Sequence, residues 1–150
     1  MNEYSAYGVA LSPSCYDFTQ TRHSAYFQLS ELNSGDYTWA LVRDPFVAAA
    51  TSGYGLDKWR EEYGASRIVN SAYRNPVRNF SLQPPGAVNS RHMFGDAADL
   101  RNETRTEDEW NLMDAAALRA QPDFVEPRDG PCGLGCVHAD WRNHSGDYLP

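Results

Sequence analysis

The clearest hydrophobic pattern lies between residues 106 and 122. Thr106-Glu107-Asp108-Glu109 has the form of a capping box, and Trp110, Met113 and Ala117 follow it at helical spacing. This predicts a helix with one buried stripe, ended by Pro122. Val137-His138-Ala139-Asp140-Trp141-Arg142 alternates instead. It predicts a strand with Val137 and Ala139 facing the core and His138 and Asp140 sharing the opposite face. Ala97-Ala98-Asp99-Leu100 predicts a second short strand. Ser66 to Tyr73 is β-prone and predicts a third, closed by a turn at Arg74-Asn75-Pro76. Asp44-Pro45 is a helix start, with the helix running toward Glu62, interrupted near Gly53 and Gly55, and stopping at Gly64. Tyr26 to Leu32 predicts a short strand or turn, and residues 77–90, with Pro84-Pro85-Gly86, a surface loop. Strands and helices follow no βαβ rhythm, so the expected class is α+β: a small antiparallel sheet with flanking helices.

At 150 residues the chain is the size of one domain. Residues 1–25 read as an arm packed on that domain by its aromatics, and residues 26–150 as the domain itself. The net charge of -7 argues against nucleic acid as a partner, because phosphate binding needs a basic surface. Apolar runs are too short to insert into a bilayer, and the chain is expected to act as a monomer. The first residues lack the basic and apolar regions of a secretory signal. Among the cysteines, Cys132 and Cys136 flank Gly-Leu-Gly, a loop flexible enough for a disulfide, and Cys15 is left over.

Three side chains of metal-ligand type stand out: His92, Asp99 and His138. Gly95 lets the chain turn between His92 and Asp99, and Ala97 and Ala98 let the strand lie close to its neighbour. Two imidazoles and a carboxylate, with a fourth position for water, form the pattern of a catalytic zinc site, where the ion lowers the pKa of water to about 7. Cys132, Cys136 and His138 offer a softer alternative set, which would leave His92 and Asp99 unexplained. His23 and His144 have no supporting context, while Tyr73, Trp141 and Tyr148 read first as core or rim aromatics.

Ser71-Ala72-Tyr73-Arg74, then Ser90-Arg91-His92-Met93-Phe94-Gly95-Asp96-Ala97-Ala98-Asp99-Leu100, then Val137-His138-Ala139-Asp140 resemble three motifs of one family. That family is the zinc D-alanyl-D-alanine carboxypeptidases, with vancomycin-resistance and phage-endolysin relatives and the Hedgehog domain as a distant cousin. The resemblance covers about residue 27 to 142; its specific part is the His-x-x-Gly-x-Ala-x-Asp block. It implies a DD-peptidase/Hedgehog-like fold for the domain and zinc held by His92, Asp99 and His138. It implies Arg74 beside the scissile carbonyl, where a guanidinium stabilises an oxyanion or grips a substrate carboxylate. Tyr73 and Ser90, from the same motifs, are further candidate substrate contacts. The implied substrate is a D-alanine-containing stem peptide of bacterial peptidoglycan. The protein would then work in the periplasm, outside the cell or as a phage-delivered lysin.

The chain departs from the family just before His138. Relatives carry a Glu or His there as general base, whereas this chain has Cys132-Gly133-Leu134-Gly135-Cys136. Asp140, on the face of His138, Glu126 and Asp129 are the candidates to replace it; Asp140 ranks first because it recurs in the His-x-Asp variant of the family that this chain most resembles, and Glu126 second. Asp140 has an alternative role, fixing the tautomer of an imidazole. A zinc-containing binding domain without a base is the rival to the enzyme.

Overall fold

The computed structural model describes residues 24–32 and 53–143, together with the backbone of Val9–Ala10 and Trp39–Ala40. Most of the arm at 1–25, the helix start at Asp44-Pro45, and Cys15, His23, His144 and Tyr148 lie outside the described residues.

Four strands build the central sheet: β3 (Val69–Ser71), β4 (Ala97–Arg101), β5 (Phe124–Val125) and β6 (Cys136–Asp140). They lie in the order β3-β4-β6-β5, every neighbouring pair antiparallel. Strand β1 (Val9–Ala10) pairs with β2 (Trp39–Ala40) in a separate two-stranded ribbon. Among the described residues, four helices accompany the strands: α1 (Leu29–Leu32), α2 (Leu56–Tyr63), α3 (Pro76–Ser81) and α4 (Glu107–Arg119). The class is therefore α+β, as the sequence predicts.

Period-two alternation divides the sheet. Ala98, Leu100, Val137 and Ala139 are fully buried against the helices, whereas Asp99 and His138 face the other way. Helix α4 is capped by Thr106, whose hydroxyl accepts from the Glu109 amide, and it buries Trp110, Met113, Ala116 and Ala117. It packs on α2, which buries Leu56 and Trp59 and ends at Gly64 with φ 82, a left-handed cap that glycine adopts without a Cβ clash. The indole N–H groups of Trp59, Trp110 and Trp141 donate to the carbonyls of Met113, Cys136 and Ala120, so each of these three buried indoles has its donor met. Asp57 on α2 accepts from the Ser24 hydroxyl and the Ala25 amide, fastening the chain entering the domain.

Several elements differ from the sequence reading. Tyr26–Leu32 contributes helix α1, not a strand. Asn75-Pro76 opens α3 rather than a turn: the Asn75 side chain accepts from the Arg78 amide at 2.8 Å, and Pro76 sits in the first turn. Residues 77–90 are thus a helix followed by a loop, with a cis peptide bond at Gln83-Pro84. Strand β5 has no sequence signal, since two residues cannot display a period.

Candidate metal centre

Sheet register does most of the assembly. Asp99 pairs with His138 across β4 and β6, and Ser71 pairs with Asp99 across β3 and β4. On β5, Phe124 pairs with Asp140 and Val125 with Ala139; the Glu126 amide then donates to the His138 carbonyl at 3.0 Å. Ser71, Asp99, His138 and Glu126 therefore form one row across the sheet, on the face opposite the core. Directly opposed residues of neighbouring antiparallel strands share a face.

His92 joins from a 3-10 helix, Arg91–Phe94, that leads into β4 and is closed by Gly95 at φ 75. Its backbone carbonyl accepts from the Arg74 amide at 3.0 Å, tying this turn to the end of β3. Nδ1 of His92 lies 2.8 Å from the Ala72 carbonyl. A carbonyl only accepts, so Nδ1 carries the proton and Nε2 offers its lone pair to the cleft. That Nε2 is 3.3 Å from one Asp99 oxygen, and Nδ1 of His138 is 2.7 Å from the other. One ligand atom from each of the three residues lies within 4.8 Å of the other two. An aligned tautomer, a divided carboxylate and convergent nitrogens fit a divalent cation, and this donor set suits zinc.

Electrostatics report the same convergence. Burial alone would push the Asp99 carboxyl up, but His92 and His138 hold it well below the usual carboxylate range. Burial opposes protonation of His138, yet Asp140 and Asp99 outweigh it and raise its pKa to about 9.

Asp140 does not join the cluster. It is fully buried, its carboxylate takes both Nε (2.7 Å) and Nη2 (2.6 Å) of Arg142, and one oxygen is 3.6 Å from His138 Nε2. Like Glu126, Asp140 lines the cleft. It stands behind the imidazole, on the nitrogen opposite the one that faces Asp99, where it orients the ring. Glu126 lines the same cleft as the three ligand residues, and one of its oxygens accepts from the Cys132 amide at 2.8 Å. Asp129 does not line the cleft.

Cys132 and Cys136 form a disulfide around a short 3-10 helix, Gly133–Gly135. Their sulfurs lie near Asp99, but oxidised sulfur offers no thiolate, so the softer metal set is not available with this bond formed.

The cleft measures about 690 Å³, and Arg74 and Ser90 both line it. Burial lowers the pKa of Arg74, and nearby Asp99 raises it. Its guanidinium donates to Asn79 Oδ1 at 3.0 Å and Ser71 Oγ at 3.1 Å, which aims it along the ligand row. Asn79 is itself buried, donating to the Ala87 carbonyl and accepting from the Gly86 amide on its own carbonyl. The sequence reading missed Asn79 and Gly86 because Pro84-Pro85-Gly86 reads only as a loop. Tyr73 is 1% exposed and does not line the cleft, which corrects its assignment as a substrate contact. Its alternation partner across the backbone, Arg74, takes the open side.

The family model described as Peptidase M15 matches residues 25–126, well over half of the chain. No curated protein matches the sequence.

Proposed function

The chain belongs to the peptidase M15 family, and from that premise we propose that it hydrolyses D-alanine-containing peptide bonds of bacterial peptidoglycan, with zinc held by His92, Asp99 and His138. What supports the metal assignment is the approach of the three ligand atoms to within 4.8 Å at the wall of a cleft large enough for a peptide segment. The D-alanine specificity rests on the Ser-x-Tyr-Arg, His-x-x-Gly-x-Ala-x-Asp and His-x-Asp motifs.

When bound, zinc supplies Lewis acidity and a water of lowered pKa. The remaining work falls to the protein's side chains. Ala72 fixes His92 by accepting from its Nδ1–H, and Asp140 fixes His138 from behind. Glu126, opposite His138 just past the end of β5, takes the proton from the attacking water and delivers it to the leaving amine. Arg74, pinned by Asn79 and Ser71, stabilises the oxyanion developing on the scissile carbonyl. The disulfide fits an oxidising compartment, which is where a wall substrate lies. Action in the periplasm, at the cell surface or as a delivered lysin all meet that requirement.

The test combines metal analysis of the purified protein with hydrolysis of D-Ala–D-Ala peptides and intact sacculi, each with and without chelator. Chelator-sensitive products, located by mass spectrometry, are expected, and His92→Ala should lose both metal and turnover. Bound zinc with no product from either substrate would sink the proposal in favour of a binding domain.

A further inference from the structure

Four arginines line the cleft, and three of them already have partners in the protein. Arg91 pairs with Asp96, Arg142 with Asp140, and Arg74 is held by Asn79 and Ser71. Arg105 differs: among the described residues its side chain makes no hydrogen bond or ion pair. In a chain of net charge -7, carboxylates to neutralise it are plentiful, yet among the described residues none pairs with it.

Its backbone is held firmly. Asn102 is 1% exposed, and its side chain donates to the Thr106 carbonyl at 2.9 Å, while its amide donates to Gly135 at 3.0 Å. The Asn102 carbonyl in turn accepts from the Arg105 amide. This turn sets Arg105 at φ 54, a left-handed conformation that glycine or asparagine adopts with less strain. The position carries a long cation despite that disfavoured backbone.

We infer that Arg105 is a specificity-determining residue that binds a free carboxylate of the substrate away from the scissile bond. This rests on the proposed peptidase reading and deepens it: the substrate class is an anionic peptide. The turn lies beyond the Arg101 end of β4, next to the disulfide loop, and Arg101 is two residues past the ligand Asp99. Two strand residues span about 7 Å and the turn at 102–105 lies beyond them, so the carboxylate belongs to a substrate residue removed from the cleaved bond. Arg74 attends to the reacting carbonyl, and Arg105 reads a neighbouring charge.

The experiment uses the zinc-loaded full chain and matched D-Ala–D-Ala peptides with glutamate or glutamine two positions from the scissile bond, in one series on each side of it. Arg105→Gln should raise KM about 10- to 100-fold for the glutamate peptide of one series, leaving kcat within about twofold and the glutamine peptides unaffected. Arg105→Lys should restore part of the loss. Arg105→Asn removes the guanidinium while suiting the left-handed backbone, so an equal KM effect in a protein of unchanged Tm ties the loss to charge. Calorimetric binding of the same peptides to Glu126→Gln protein gives a readout independent of turnover. Equal effects on glutamate and glutamine peptides, or no effect on either in kinetics and binding, would overturn the inference. Should the unmodified protein cleave none of the peptides, the peptidase reading fails, and calorimetry alone still decides the role of Arg105.

Discussion

Glu126 stands directly across the sheet from His138, its amide donating to the His138 carbonyl at 3.0 Å. The pairing puts a carboxylate beside the ligand row from a strand that neighbours the last ligand in space and precedes it by a helical turn and a loop in sequence. The Cys132 amide holds one Glu126 oxygen. A Cβ at Gly130 would come within 2.5 Å of Glu126 Cγ, so only glycine there leaves this side chain its position.

Glu126→Gln keeps the shape and removes the base. It should bind zinc as the parent does and lose about 10²- to 10⁴-fold in kcat. Metal content and kcat measured on one preparation check this; full turnover would remove Glu126 from the mechanism.

Asp140→Asn should behave in the opposite way. Asp140 touches His138 and Arg142, so its loss loosens a ligand before it affects a proton transfer. Zinc affinity is expected to fall about 10- to 100-fold, with kcat largely kept at saturating metal. Competition against a chromogenic chelator measures the affinity. Unchanged affinity with lost kcat would return Asp140 to the role of base.

Gly86→Ala tests the support of Arg74 without touching Arg74. An added Cβ would overlap the Asn79 amide oxygen and lie 3.0 Å from Arg74 Nη1. Displacing Asn79 frees the guanidinium, so kcat should drop by roughly tenfold or more with metal content intact, approaching the loss seen on removal of a transition-state donor. A fully active Gly86→Ala protein would show that Arg74 does not depend on this clamp.

Thermal stability should depend on pH in a metal-dependent way. The folded pKa of His138, about 9, lies above its ordinary value of 6.5. Its proton therefore stabilises the fold fully below pH 6.5, and that contribution disappears as pH rises through about 9. Asp99 is depressed instead, so its contribution is present above the ordinary carboxylate range and is lost on acidification. Zinc requires the neutral imidazole and must displace the His138 proton. With chelator, Tm should decline between pH 6.5 and 9, while the Tm gain from zinc grows across that window. Differential scanning fluorimetry at several pH values measures both, and a constant zinc-induced gain would contradict the ligand assignment.

The two alternating segments at Ala97–Leu100 and Val137–Asp140 determined by themselves which side chains point to the core, because a strand's period of two leaves no other choice. The capping box at Thr106 likewise determined where α4 begins, since its signals are local. The residues of the candidate site, His92, Asp99, His138 and Arg74, were legible as types and spacings. Their meeting was decided by register: one residue of slip in β4 against β6 would turn Asp99 away from His138. What distinguishes the surroundings of Glu126 from those of Asp140 was likewise invisible in one dimension. Asp140 shares the face of His138, as alternation says, but Arg142 claims it and it lies on the wrong imidazole nitrogen. Glu126 arrives just past β5, a strand too short to announce itself, and that Arg105 has no side-chain partner among the described residues is likewise a matter of tertiary packing. Local periodicity fixes direction along an element, whereas proximity between elements depends on pairing and packing that no single segment encodes.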